Sequence, residues 1–138
     1  MKLIETNFKY PNLKRVENKL GRFYIDSKGV EVPSVTTVLS STSDKSGIDE
    51  WKRRVGLEEA ERILKESTTI GTNVHNALEN YLQDKKWEIN DDGSYISKTS
   101  ISILNCFINN LISDIDEVWG LEVGLILDVL YSGTADCI

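Results

Sequence analysis

The chain is poor in the residues that build metal clusters and disulfide frameworks. Its 138 residues include two cysteines and one histidine. Neither Cys106 nor Cys137 belongs to a CxxC or Cys/His cluster, which argues against a zinc site. One falls in a helical pattern and the other in a strand pattern, so both are expected to be small buried apolar residues in a reducing compartment. Long apolar runs are also missing. None approaches the roughly 18–20 residues of a membrane span, and the opening MKLIETNFKY has no apolar signal-peptide core. A soluble, intracellular protein with no membrane partner is expected. Neither an internal repeat nor a low-complexity stretch is present.

Excess positive charge is lacking too. The formal net charge is −6, which argues against a general nucleic-acid binder. The distribution softens that exclusion. Residues 1–65 hold 13 Lys/Arg against 10 Asp/Glu, whereas residues 66–138 hold 3 against 12. A weakly basic half that meets phosphate beside an acidic half that holds cations is one reading. Solvated faces of uneven composition are the other.

What is present is ordinary globular material, 40% apolar and 28% charged, in one domain's length. A domain near that size buries roughly 70% of the surface its unfolded chain exposes. Residues 1–20 are mixed and polar and read as partly loose. Residues 22–33 alternate around Ser27-Lys28-Gly29, a hairpin signal with glycine where φ > 0 is needed. Pro33 should end its second strand. Residues 34–41 carry β-branched residues that favour a strand, but Ser34 after Pro33 suits a helix cap. Helices are expected over 48–66, with a break at Gly56, over 69–83 and over 97–115. The last has an apolar stripe from Ile101 to Ile115.

Residues 118–138 change to period two. Trp119, Leu121, Val123, Leu125 and Leu127 should share one face, with Val118, Gly120, Glu122, Gly124, Ile126 and Asp128 on the other. A turn centred on Val129 pairs residues whose numbers sum to 258, setting Glu122 opposite Asp136 and Gly124 opposite Thr134. Directly opposed like charges destabilise a sheet unless something compensates, and a divalent cation takes carboxylate oxygens readily. Glycines flanking Glu122 mark a place of close approach. The ordinary alternative is a carboxylate on a solvated sheet face.

His75 lies at the border of the second helix's apolar stripe, with Glu79 one turn on, sharing its face. A histidine there serves packing or metal ligation. Gly71 would let another backbone approach the helix start. Trp51-Lys52-Arg53-Arg54 offers either a basic helix face with a core tryptophan or phosphate contacts with a base-stacking ring.

In order, these segments resemble the RecB-like PD-(D/E)XK exonucleases, which include the mitochondrial genome maintenance exonuclease and phage enzymes. The resemblance covers residues 22–138. It rests on Pro33-Ser34-Val35-Thr36 after a hairpin, a helix bearing Trp51, Gly71-Thr72 with His75 and Glu79, then Glu122, and Gly133-Thr134-Ala135-Asp136. It implies an α+β or α/β fold with a restriction-endonuclease-like core, helices on a small mixed sheet. It implies that His75 and Asp136 help hold Mg²⁺ or Mn²⁺, with Glu122 as a supporting acid. Trp51, Lys52, Arg53, Arg54 and Thr72 would meet DNA, single-stranded or at its ends, and replication or recombination proteins would be further partners. A bacterial or phage-infected cytoplasm would be the setting. The family then has an Asp/Glu-x-Lys strand, starting about ten or more residues after its hairpin aspartate. The sequence stops at Ile138, so residues 1–138 are expected to be incomplete at the C-terminus and inactive alone. Competing readings are a non-catalytic DNA-end or single-strand binding module and an α+β interaction domain.

Overall fold

The computed structural model describes residues 9–138. Among them the fold is α+β, with four helices and two small antiparallel sheets. The described residues form two compact units. One is Lys45–Val118; the other joins residues 9–44 to Trp119–Ile138. No helix of the described residues is long and apolar enough to cross a membrane.

The second unit holds both sheets. Strands β1 (Lys14–Asn18), β2 (Gly21–Ile25) and β3 (Glu31–Pro33) form an antiparallel meander. Strand β1 corrects the expectation of a loose segment. Its sequence KRVEN has one half-buried apolar residue, Val16, among exposed polar ones, the composition of a charged edge strand rather than of a core strand. The part of that expectation on residues 1–8 lies outside the described residues. The β2–β3 hairpin is as expected, pairing Tyr24 with Val32 and Ile25 with Glu31. Gly29 takes φ +79° in its turn, a conformation costly for other residues. Strand β3 ends at Pro33, which has no N–H to continue a ladder.

Helix α1 (Val35–Thr42) follows at once. Ser34 caps it, accepting from the Thr37 N–H at 3.1 Å, so capping decides against the β-branched strand preference. The Thr37 hydroxyl accepts from the Arg22 N–H and donates to the Arg22 carbonyl, each at 2.9 Å. A Cβ at Gly21 would lie 2.7 Å from that hydroxyl oxygen, so the helix start seats on β2 only where a side chain is lacking.

The second sheet is the hairpin of β4 (Leu121–Leu127) and β5 (Tyr131–Cys137). One mixed sheet was expected. Instead two antiparallel sheets meet at an isolated parallel bridge between the buried Ser34 and Ser132, just past the proline that stops β3. The buried Asp26 carboxylate joins the two hairpin turns. It accepts from Lys28 and Val30 N–H at 2.8 Å in its own turn, and from Val129 N–H at 3.0 Å in the other. Ser27 also donates to Asp128 there.

The helical unit contains α2 (Ser46–Val55), α3 (Leu57–Leu82) and α4 (Tyr95–Asn110), then one 3-10 turn (Ile112–Asp114). The expected break at Gly56 is present, at φ +91°. The expected break between residues 66 and 69 is not, and α3 runs through it. There Thr68 and Thr69 donate their hydroxyls to the carbonyls one turn back, at 2.8 and 2.9 Å, so both hydroxyls are satisfied within the helix. Helix α4 starts two residues earlier than expected, capped by Ser94 through the Ser97 N–H, and stops at Asn110. Helices α3 and α4 pack on each other. Ala60, Val74, Ala77, Leu104 and Ile112 are buried, together with Ser97 and Ser100. Both cysteines are exposed, against expectation. Cys106 lies off the α4 face that buries Ser97, Ser100 and Leu104, and Cys137 ends a strand whose outer residues are exposed.

Candidate functional site

The β4–β5 hairpin brings the two expected acids together. Its register follows the sum of 258, from Leu121 opposite Cys137 to Leu127 opposite Tyr131, with Gly124 opposite Thr134. One rung is missing from that ladder, at Glu122 and Asp136. Glu122 takes φ +50°, which turns it out of the pleat. Both side chains are exposed, and a carboxylate oxygen of one lies within 4.8 Å of a carboxylate oxygen of the other. The negative charge of Asp136, after partial burial, helps raise the Cys137 thiol pKa. Two carboxylates at such a distance repel in water and attract a hard cation.

Burial does not follow the expected apolar face along its whole length: Leu121 and Val123 are half-buried, whereas Leu125 and Leu127 are exposed, as is Trp119. The register is continuous from Val123 to Leu127, so these alternate residues share a face that is covered at one end only. The flanking glycines do mark a close approach, but to the chain itself. A Cβ at Gly124 would lie 2.9 Å from Leu13 and 3.1 Å from the Pro11 carbonyl, and one at Gly120 3.1 Å from the Tyr10 ring. The register survives because residue numbers still pair to one sum on both sides of the missing rung, so no residue is inserted as in a bulge.

In the helical unit, His75 and Thr72 are exposed along α3. Glu79, one turn beyond His75, is half-buried and accepts from the Gln83 amide at 3.2 Å, so its carboxylate is engaged within its own helix. Gly71 lies in the middle of α3 rather than at a helix start, and nothing would come within 4 Å of a Cβ there. The expected backbone approach at Gly71 is therefore absent, because the helix begins at Leu57. Lys52, Arg53 and Arg54 occupy the last turn of α2, and Trp51 is half-buried beside them. Cations at a helix C-terminus complement its dipole, which explains the cluster locally without a ligand.

Two features escaped the sequence reading. One is Asp26, whose role was available from Asp-x-x-Gly turn chemistry. The other is a cleft of about 700 Å³ in the helical unit, lined by Asn73, Asn76 and Asn80 of α3 and by Trp87. The three asparagines are spaced by three and four residues, a helical face that a search for apolar stripes passes over. No family model matches the chain, and no curated protein or solved structure matches it either.

Proposed function

We propose that this chain carries the metal-holding part of a RecB-like PD-(D/E)XK nuclease, on a restriction-endonuclease-like core. The reaction would be Mg²⁺- or Mn²⁺-dependent hydrolysis of DNA phosphodiesters, at single-stranded DNA or DNA ends. The observation that carries this reading is the carboxylate pair Glu122 and Asp136, with carboxylate oxygens within 4.8 Å of each other on facing strands of the hairpin, where Glu122 leaves the usual strand conformation. The family resemblance makes His75 the third proposed ligand. Two carboxylates and an imidazole suit Mn²⁺, and the carboxylates suit Mg²⁺. When bound, such an ion polarises the phosphoryl oxygen and acidifies its water.

The remaining roles belong to the chain. Lys52, Arg53 and Arg54 would hold phosphates, fixing register without reading sequence. Trp51 would stack a base, and the Thr72 hydroxyl would meet the backbone. The family resemblance also implies an acid and a lysine on an Asp/Glu-x-Lys strand after the hairpin. Replication or recombination proteins are the proposed partners.

Mn²⁺ titration of residues 1–138, followed by electron paramagnetic resonance, tests the metal site. Binding should fall at least 10-fold in His75→Ala and in Asp136→Ala, since even losing a partner that only supports a ligand costs about 10–100-fold. Unchanged binding in both variants would remove the metal site from the proposal. The basic last turn of α2 favours a second reading, a DNA-binding module without chemistry. That reading predicts salt-dependent DNA binding in EDTA that both variants retain.

A further inference from the structure

The asparagine-lined cleft of the helical unit belongs to none of the residues assigned above. Asn73, Asn76 and Asn80 follow one another along a single face of α3, where spacings of three and four bring side chains side by side. Asn73 reaches the buried Ser100 hydroxyl at 3.4 Å. Among the described residues, the side-chain amides of Asn76 and Asn80 have no hydrogen-bond partner. The Trp87 ring lines the same cleft, held edge-on by Tyr81 with centroids 5.3 Å apart. The cleft therefore offers two uncommitted amides, each with a donor pair and an acceptor, beside a half-buried aromatic ring in edge contact with Tyr81. Its charges are Lys86 against Glu88 and Asp92. That balance suits a neutral ligand and disfavours a cluster of phosphates.

We propose that this cleft takes a single unstacked purine base, stacked on Trp87 and hydrogen-bonded on its edge by Asn76 and Asn80. A side-chain amide pairs in bidentate fashion with the N6 and N7 positions of adenine. Aromatic rings stack bases with little preference among them, so the amides supply the selectivity. The base would come from a free nucleoside or from a single DNA strand whose phosphates point to solvent. Only the strand source rests on the DNA reading above.

The test is a nitrogen-15 NMR titration of residues 1–138 in EDTA, following the Asn76 and Asn80 amides and the Trp87 indole. Adenosine and a short oligodeoxyadenylate are added separately, with cytidine as control. The probes should shift with adenosine and several-fold less with cytidine. The response should weaken at least 10-fold in the Asn76→Ala/Asn80→Ala double variant. That variant keeps the helix, since alanine is the better helix former. Tighter binding of the oligonucleotide than of adenosine assigns the base to a strand, and equal binding assigns it to a nucleoside; either result sustains the site. The absence of a shift with both ligands, or shifts unchanged in the double variant, overturns it. His75→Ala and Asp136→Ala should leave the adenosine response intact, so failure of the metal site and failure of this one are told apart.

Discussion

The two hairpins of the sheet unit are built alike up to their turns and differ in where they hold left-handed residues. In β2–β3 they are glycines, Gly21 at the start of β2 and Gly29 in the turn, and the ladder is unbroken. In β4–β5 two non-glycine residues are left-handed, Val129 in the turn and Glu122 in the strand, and the ladder lacks the rung where Glu122 sits. The first hairpin satisfies local preference everywhere. The second departs from it twice, once at an acid facing another acid. Residues held in sparsely populated conformations persist only where surrounding structure imposes them, and they gather at functional sites. The missing rung is thus a more specific sign of a site than the carboxylates alone.

The largest effect on this contrast should come from Asp26, because it serves both turns. Asp26→Ala removes the acceptor for three backbone N–H groups, and it should lower Tm by roughly 5 °C or more in a calorimetric scan. A Tm within a degree of the parent would mean that the turns hold without it. The Val30 N–H bond, followed by those from Lys28 and Val129, depresses the Asp26 pKa below 3.8 against the opposing effect of burial. The carboxylate's contribution is therefore complete above that value and lost as pH falls through the lowered pKa.

Glycine at the strained positions sharpens the comparison. A left-handed L-residue costs about 1–2 kcal/mol, and glycine returns about 0.5–1 of that in unfolded-chain entropy. Glu122→Gly should therefore stabilise the chain by about 1 kcal/mol in urea unfolding, helped by relief of repulsion from Asp136, while weakening Mn²⁺ binding. A gain of stability together with a loss of metal would mark Glu122 as placed for function. Loss of both would show that its side chain supports the fold. Val129→Gly should gain about 0.5 kcal/mol by the same balance and leave Mn²⁺ binding unchanged.

Much of this hairpin was legible because strand pairing has few free choices. Once Asp128-Val129-Leu130 is the turn, every pair follows, and both the 122/136 opposition and the 124/134 pair come with it. The caps at Ser34 and Ser94 and the break at Gly56 use residues with strong local preferences, although the sequence reading recognised only the first and last of these. What periodicity cannot carry is a single backbone residue leaving its usual region. Glu122 does so. Nor can periodicity say how far a face is covered, and Leu125 and Leu127 are exposed where Val123 is half-buried. Strand β1 escaped notice because its one half-buried side chain, Val16, sets no period. The continuity of α3 through Thr68 and Thr69 escaped notice because threonine is a weak helix former, whereas a long helix is held by its packing on α4.

The smallest expected effect lies in the helical unit and contrasts with Asp26. Asp92 also accepts hydrogen bonds near a turn, from the Ser94 N–H and the Ser97 hydroxyl, each within 3 Å. Bonds from Ser94, then from Ser97, bring its pKa down from 3.8 to about 2. Its folded pKa lies below the unfolded one, so its contribution is present above pH 3.8 and disappears as pH falls toward 2. Asp92 is exposed and serves one helix start, whereas Asp26 is buried and serves two turns. Hydrogen exchange at pH 5 and at pH 2.5 should therefore show the first turn of α4 loosening modestly in the parent, with Asp92→Asn already loosened at pH 5 and less responsive to pH. If that variant keeps the full pH response, Ser94 capping rather than the carboxylate holds the helix start, and the contrast between the two aspartates becomes one of burial alone.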